Sequence, residues 1–256
     1  MRLCLFFLML LLALETTERF GSVAMAQNDR VIAEKVLPRD RQSAQTLAET
    51  LDLLFQETGY EPKNVNVVAT VIGPGSFTGL RVGVCTAKVF AYTTHSQMVA
   101  VRSLETVARA FQDAAVMEQL FVRENTTHLT VAVDAQRSEV VAQTFQRTPE
   151  NRIEPVGLER LISITEWWAE AERYPVLFSG PALERYGVQA PADVRLAPQE
   201  YWQPRASAVA MLGAERFGFG DTVSPFAVLP IYARQSAAEE RLSAGAPTQK
   251  VPRRIS

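Results

Sequence analysis

The chain has 256 residues, enough to bury a sizeable core as one large domain or two small ones. Hydrophobic residues make up 47% and charged residues 21%, the balance of an ordinary folded protein, and a net charge of −2 leaves no basic footprint for strong independent binding of nucleic acid. Cys4 and Cys85 are too few and too poorly spaced for a disulfide framework or a zinc site, and His95 and His128 are the only imidazoles, so a His-based metal site is not expected.

At the amino end, Arg2 precedes an unbroken apolar run from Leu3 to Leu14 that imitates a secretory signal, with Ala24-Met25-Ala26 as an imitation cleavage site. The run is too short for a membrane span. The cleavage-like triplet lies well beyond Leu14, and Glu15, Glu18 and Arg19 intervene, so export is the lesser reading. Leu10 to Leu14, Gly21 to Ala26 and Val31 to Leu37 read as a three-stranded meander with Asn28-Asp29 as a turn. Ala44, Leu47, Ala48, Leu51, Leu54 and Phe55 then share one face of an amphipathic helix that Gly59 and Pro62 end.

The stretch that organises the chain follows. Val65 to Ile72 reads as a buried strand, Leu80 to Tyr92 as a helix, and Gly73-Pro74-Gly75-Ser76-Phe77-Thr78-Gly79 joins them. Thr78 is the expected helix cap, which would leave free amides for a docking group. No Lys-Ser/Thr pair follows the last glycine, so this is not a phosphate loop of the Walker type; Thr78 fills the third glycine position of a dinucleotide fingerprint; Ser76 is out of register for a nucleophile elbow. By spacing alone, a tight strand-to-helix turn without a ligand is as good a reading as a binding loop.

Gly73-Pro74-Gly75-Ser76-Phe77-Thr78-Gly79-Leu80-Arg81, continued by Val82-Gly83-Val84 and Ala87-Lys88, resembles the signature of the bacterial TsaB (YeaZ) family. Ser103-Leu104-Glu105 and Ile231-Tyr232-Ala233-Arg234 stand where that family carries similar short motifs, and Met9 to Thr17 resembles its amino terminus. The resemblance covers about Met9 to Glu240. It makes Met9 the expected start and residues 1–8 an upstream extension. Gln42 and Glu15 stand where the family's pattern has histidine and aspartate.

Val131-Ala132-Val133-Asp134 repeats the pattern of Leu12-Ala13-Leu14-Glu15, and Glu139 to Phe145 follows as a second strand. Such a duplication is the plan of the α/β actin-like ATPase fold (ASKHA, ribonuclease H-like) with two duplicated subdomains. The first subdomain is expected over residues 9–105, completed by a returning helix at about 205–219, whose face is Ala206, Val209, Ala210 and Gly213. The second is expected over 106–204, and 220–256 as a C-terminal strand and polar tail. Within the second, Thr165 to Glu172 reads as a helix, Val176 to Ser179 as a strand and Pro181 to Tyr186 as a short helix. Lys250 to Ser256 reads as a solvated tail.

Glu15 and Asp134 are the candidate paired carboxylates of an actin-like cleft, where such residues hold Mg²⁺ or orient phosphates. Near Asp134, Gln136-Arg137-Ser138 replaces a second glycine-rich loop, so a vestigial cleft with no cofactor of its own is the preferred expectation, and no catalytic residue or metal ligand is assigned. The resemblance instead implies a partner interface formed by Gly73, Pro74, Gly75, Ser76, Phe77, Thr78, Gly79, Leu80, Arg81, Val84 and Lys88, since Leu80, Val84, Val89 and Phe90 are spread around the helix. It implies a cytoplasmic, non-catalytic subunit, with no membrane association, that binds TsaD in tRNA threonylcarbamoyladenosine synthesis. TsaE would be third partner, tRNA would be reached through the complex, and ATP and metal would sit in the partner subunits. A homodimer of the isolated chain stays open. So do two other functions: an independent actin-like nucleotide-binding enzyme or peptidase, and an exported binding protein.

Overall fold

A computed structural model describes residues 9–18, 21–38 and 43–233. β1 (Leu10–Glu15) is buried at every position, as its unbroken leucine-rich run requires, because it lies at the centre of a sheet covered on both faces. It pairs antiparallel with β2 (Ser22–Gln27) and parallel with β4 (Val67–Gly73); β3 (Arg30–Val36) and β5 (Gln97–Arg102) close the edges, giving the order β3-β2-β1-β4-β5. Asn28, at φ 56°, supplies the left-handed residue that the β2–β3 turn needs.

Alternation along β1 decides what packs where. Leu10, Leu12 and Leu14 face a layer made by α1 (Ser43–Thr58) and α2 (Phe77–Thr94), while Leu11 and Ala13 face the other side. Thr58 ends α1, and Gly59 at φ 71° turns the chain out of it.

The second sheet repeats the first. β6 (His128–Asp134), β7 (Glu139–Arg147), β8 (Ile153–Ser163), β9 (Val176–Ser179) and the short β10 (Arg195–Leu196) lie in the order β8-β7-β6-β9-β10. Its central strand likewise pairs antiparallel on one side and parallel on the other. One face is covered by α3 (Ser103–Arg109), α4 (Ala114–Met117) and the π-turn that continues it, through Phe111 and Phe121. The other face packs on Trp167 of α5 (Ile164–Trp168) and Leu183 of α6 (Leu183–Tyr186).

The chain crosses from the first sheet to the second through 102–114 and returns through 199–207. It then forms α7 (Ala206–Gly218), whose Ala206, Val209 and Ala210 pack on Leu11, Ala13 and Ala69 of the first sheet. Gly213 lies flat against Ala69, since a Cβ there would come 2.6 Å from that side chain. Arg216 of α7 pairs with Glu105 of α3, so the two helices between the sheets are also joined by charge.

Several elements depart from expectation. β4 begins at Val67, because Val65 is spent closing a 3-10 turn by donating its amide to Pro62 O at 3.2 Å. The helix expected over Thr165–Glu172 is one α turn followed by a 3-10 turn, Ala169–Glu172. Residues 220–233 form no strand: Val223 makes a single antiparallel bridge to Met98, and Pro225 and Pro230 lack the amides to continue a ladder. Residues 1–8, Arg19, Gln42, Arg234 and the tail after it lie outside the described residues. Among the described residues no helix is long and apolar enough to cross a membrane.

Candidate functional site

The glycine loop is fastened to the end of β1. Ser76 donates its amide to Thr17 O at 2.8 Å, Thr16 Oγ1 donates to Gly79 O at 2.8 Å, and Ser103 Oγ donates to Pro74 O. The Gly73–Pro74 peptide bond is cis. Gly73 adopts φ 125° with the Ile231 carbonyl against it, and Gly79 lies against the Thr16 carbonyl oxygen, where a Cβ would overlap. The cap is Ser76 and not Thr78: its Oγ accepts from Gly79 N at 3.3 Å, and Thr78 is already helical. The amides of Ser76 and Gly79 are therefore used by the chain itself. The loop is a weld between β1, α2 and the segment near Ile231.

Glu15 ends β1 fully buried, with Oε1 accepting from Thr17 N at 2.7 Å and from Thr17 Oγ1, and with Oε2 buried without a hydrogen bond. Burial pushes its carboxyl up to about 7, against the lowering effect of the Thr17 bonds. Glu18 is pushed up to about 8, first by burial and then by the charges of Glu15, Glu184 and Asp134. Asp134 is held by Arg185 Nη1 at 3.0 Å and by the Tyr186 hydroxyl at 3.1 Å. The structure thus brings Glu15 and Asp134 to one cleft and adds Glu18 and Glu184, which no strand-end pattern marks. Across it, Gln136, Arg137 and Ser138 make a tight left-handed turn at φ 62°, 53° and 60°, with Gln136 N donating to Asp134 Oδ1 at 2.7 Å. The Ser76 and Gly79 amides are spent within the chain, so they are not offered to a phosphate group in the cleft. Among the described residues no group of three His, Cys, Asp or Glu is arranged to hold a metal ion.

The expected interface residues divide sharply. Gly73, Pro74, Gly79, Leu80 and Val84 are buried within the chain, with Val84 packed in the cluster against Leu10, Leu12 and Leu14 of β1, so these five offer no free surface. The resemblance implied an interface here; within α2, Leu80 and Val84 share the inward side with Ala87 and Ala91. Gly75 and Lys88 are half-buried, Lys88 Nζ donating to Val228 O at 3.0 Å, whereas Ser76, Phe77, Thr78 and Arg81 are exposed. Arg81 stacks on Phe77, 3.9 Å from its ring centroid, and its Nε donates to the Tyr232 hydroxyl at 3.1 Å.

The outward face of α2 is broadly apolar. Val89 and Tyr92 are 63% and 62% exposed, and the segment after α7 lies beside them with Phe226 76% and Leu229 70% exposed. Tyr92 meets Phe226 edge-on at 5.6 Å and Phe77 meets Tyr232 at 4.8 Å, so the segment lengthens and broadens the stripe. Leu53 of the neighbouring α1 is exposed as well. A contiguous apolar surface of this kind marks a docking site more than a chance exposure.

Two five-stranded sheets of one topology, meeting at an acidic cleft between the ends of their central strands, define an α/β protein of the duplicated ribonuclease H-like, actin-like class. Residues 30–197 match the family described as TsaD, tRNA N6-adenosine threonylcarbamoyltransferase. The chain belongs to that family, and within it to the TsaB (YeaZ) group. It is 26% identical over 243 residues to the tRNA threonylcarbamoyladenosine biosynthesis protein TsaB of Bacillus subtilis, covering 91% of this chain and 97% of that protein. The protein of the same description from Escherichia coli is 26% identical over 241 residues, covering 91% and 98%. Among solved structures, a Pseudomonas aeruginosa protein described as similar to peptidase YeaZ superposes with a TM-score of 0.71 at 24% identity, covering 88% of this chain and all of that one. YeaZ from the same organism gives 0.67 at 23% identity, covering 88% and 99%.

Proposed function

We propose that this chain is the accessory subunit of tRNA N6-threonylcarbamoyladenosine synthesis, binding and steadying a TsaD-type transferase that carries the chemistry. The names of its relatives support a role in that biosynthesis. The single observation that carries the scaffold reading is the exposed apolar face of α2 and residues 226–232, built directly on the welded glycine loop. On this reading the chain holds no cofactor and no catalytic group of its own, works in the cytoplasm, and reaches TsaE and tRNA through the complex. ATP and metal belong to the partner subunits. The engagement of the Ser76 and Gly79 amides within the chain supports that reading.

The test is co-expression with the same organism's TsaD, sizing of the product, and a tRNA-modification assay with TsaE, ATP and precursors. Val89→Glu and Tyr92→Glu place a charge on the exposed face and leave the core alone; each is expected to weaken the complex at least tenfold and to lower modification in step. Leu80→Glu or Val84→Glu would unfold the chain and could not discriminate. A nucleotide bound by the isolated chain, with full modification in its absence, would replace this reading with that of an independent enzyme.

A further inference from the structure

Covering the outward side of α2 takes two cations out of water. Phe77, Arg81, Cys85, Lys88, Val89 and Tyr92 follow one another along that side at the spacing of a single helix face. Arg81 and Lys88 therefore stand two turns apart on it, about 10 Å along the axis. Neither is loose. The Arg81 guanidinium lies over the Phe77 ring at 3.9 Å, and its Nε donates to the Tyr232 hydroxyl at 3.1 Å. Lys88 is half-buried, with Nζ donating to Val228 O at 3.0 Å. The groups that hold these cations are a ring, a hydroxyl and a carbonyl, all neutral. Among the described residues no carboxylate pairs with Arg81 or Lys88, and the Arg81 Nη nitrogens have no acceptor.

The chain puts no acid of its own on this surface. Neither α2 nor residues 226–233 contain an Asp or a Glu. Two copies of the face laid together would oppose cation to cation, which selects against a second copy. A partner that covered the face with apolar side chains alone would leave Arg81 desolvated and unpaired, a costly state. The stack on Phe77 and the bond to Tyr232 keep the guanidinium within the stripe, with Phe77 before it and Val89 and Tyr92 beyond it. Its free edge is already oriented when the partner arrives.

We infer that the partner of α2 is a protein surface, largely apolar, that carries two carboxylates about 10 Å apart, the spacing of Arg81 and Lys88. One accepts from the two Nη nitrogens of Arg81 in a fork, and the other accepts from Lys88 Nζ. The inference rests on the subunit reading and deepens it, by stating what a TsaD-type partner carries at the contact and why it is taken in preference to a second copy.

The test is calorimetric affinity between the full chain and its TsaD-type partner, without tRNA, with unchanged urea midpoints as the sign that each variant folds. Arg81→Glu is expected to weaken binding on the order of a hundredfold, and Arg81→Gln and Lys88→Gln about tenfold and about threefold. A single acid-to-lysine reversal on the partner is expected to restore the affinity of Arg81→Glu. If Arg81→Glu does not fold, Arg81→Gln decides. Undiminished affinity of the folded Arg81 variants, with binding lost in Val89→Glu, overturns the inference and leaves the subunit reading standing. Undiminished affinity in Val89→Glu and Tyr92→Glu as well removes both. Loss confined to the binding of tRNA by the complex would make the anion a nucleic acid, and a dimer of the isolated chain abolished by Arg81→Glu would make the occupant a second copy; either overturns the inference.

Discussion

Glu15 is kept where it is by Thr17, which spends both its amide and its hydroxyl on one carboxylate oxygen and leaves the other bare. The folded carboxyl holds its proton up to about pH 7, the unfolded one only to about 4.5. Between those values folding takes up a proton, so stability falls as pH rises through the window. Raising the pH from 5 to 8 is expected to cost on the order of 3 kcal/mol from this group, measured as a drop in the urea midpoint. Glu15→Gln keeps the acceptor for Thr17 and should remove this group's share of the slope, leaving a share at least as large from Glu18, whose carboxyl is pushed further up. The sequence shows Glu15 and Asp134 because each closes an apolar strand. It hides Glu18, in the turn after β1, and Glu184, in the four-residue α6, because neither closes an apolar strand.

Elements with a strong local pattern are legible in the chain. The face of α1, the glycine loop and the returning helix all follow from apolar spacing and turn residues. β8 escapes such reading because it is an edge strand with most side chains in solvent, so it has no apolar run. Spacing gives the faces of α2 without saying which is inward, so it could not show that Leu80 and Val84, which the resemblance put at an interface, lie in the core. The glycines of the loop act through contact. Gly79→Ala would drive a methyl into the Thr16 carbonyl and is expected to destabilise by roughly 1–3 kcal/mol, whereas Ser76→Ala, which removes the cap, should cost about 1 kcal/mol. Urea unfolding of the two variants would rank them; a harmless Gly79→Ala would mean that the loop is looser than the weld described.

At the scale of the molecule, the duplication is visible in the likeness of Leu12–Glu15 to Val131–Asp134, but the way the halves are joined is not. Arg102, at the end of β5, grips Glu159 of β8 with both Nε, at 3.0 Å, and Nη2, linking the two sheets through a partly buried fork. A double-mutant cycle on Arg102→Ala and Glu159→Ala is expected to give a coupling of about 1 kcal/mol in global stability; a value near zero would make the pair a bystander. The apolar stripe, too, emerges only in three dimensions, because Phe226 and Tyr92 meet across a long sequence separation.

That stripe lies on the same 18-residue helix whose inner side seals the core over β1. Folding and association therefore share one element, and any occupant of its outer side draws the whole chain toward the native state by mass action. At a concentration a hundredfold above its dissociation constant, such an occupant adds about 2.7 kcal/mol to the apparent stability. The cellular lifetime of this chain should accordingly follow the supply of whatever covers α2, rising when that supply is plentiful and shortening when it runs out.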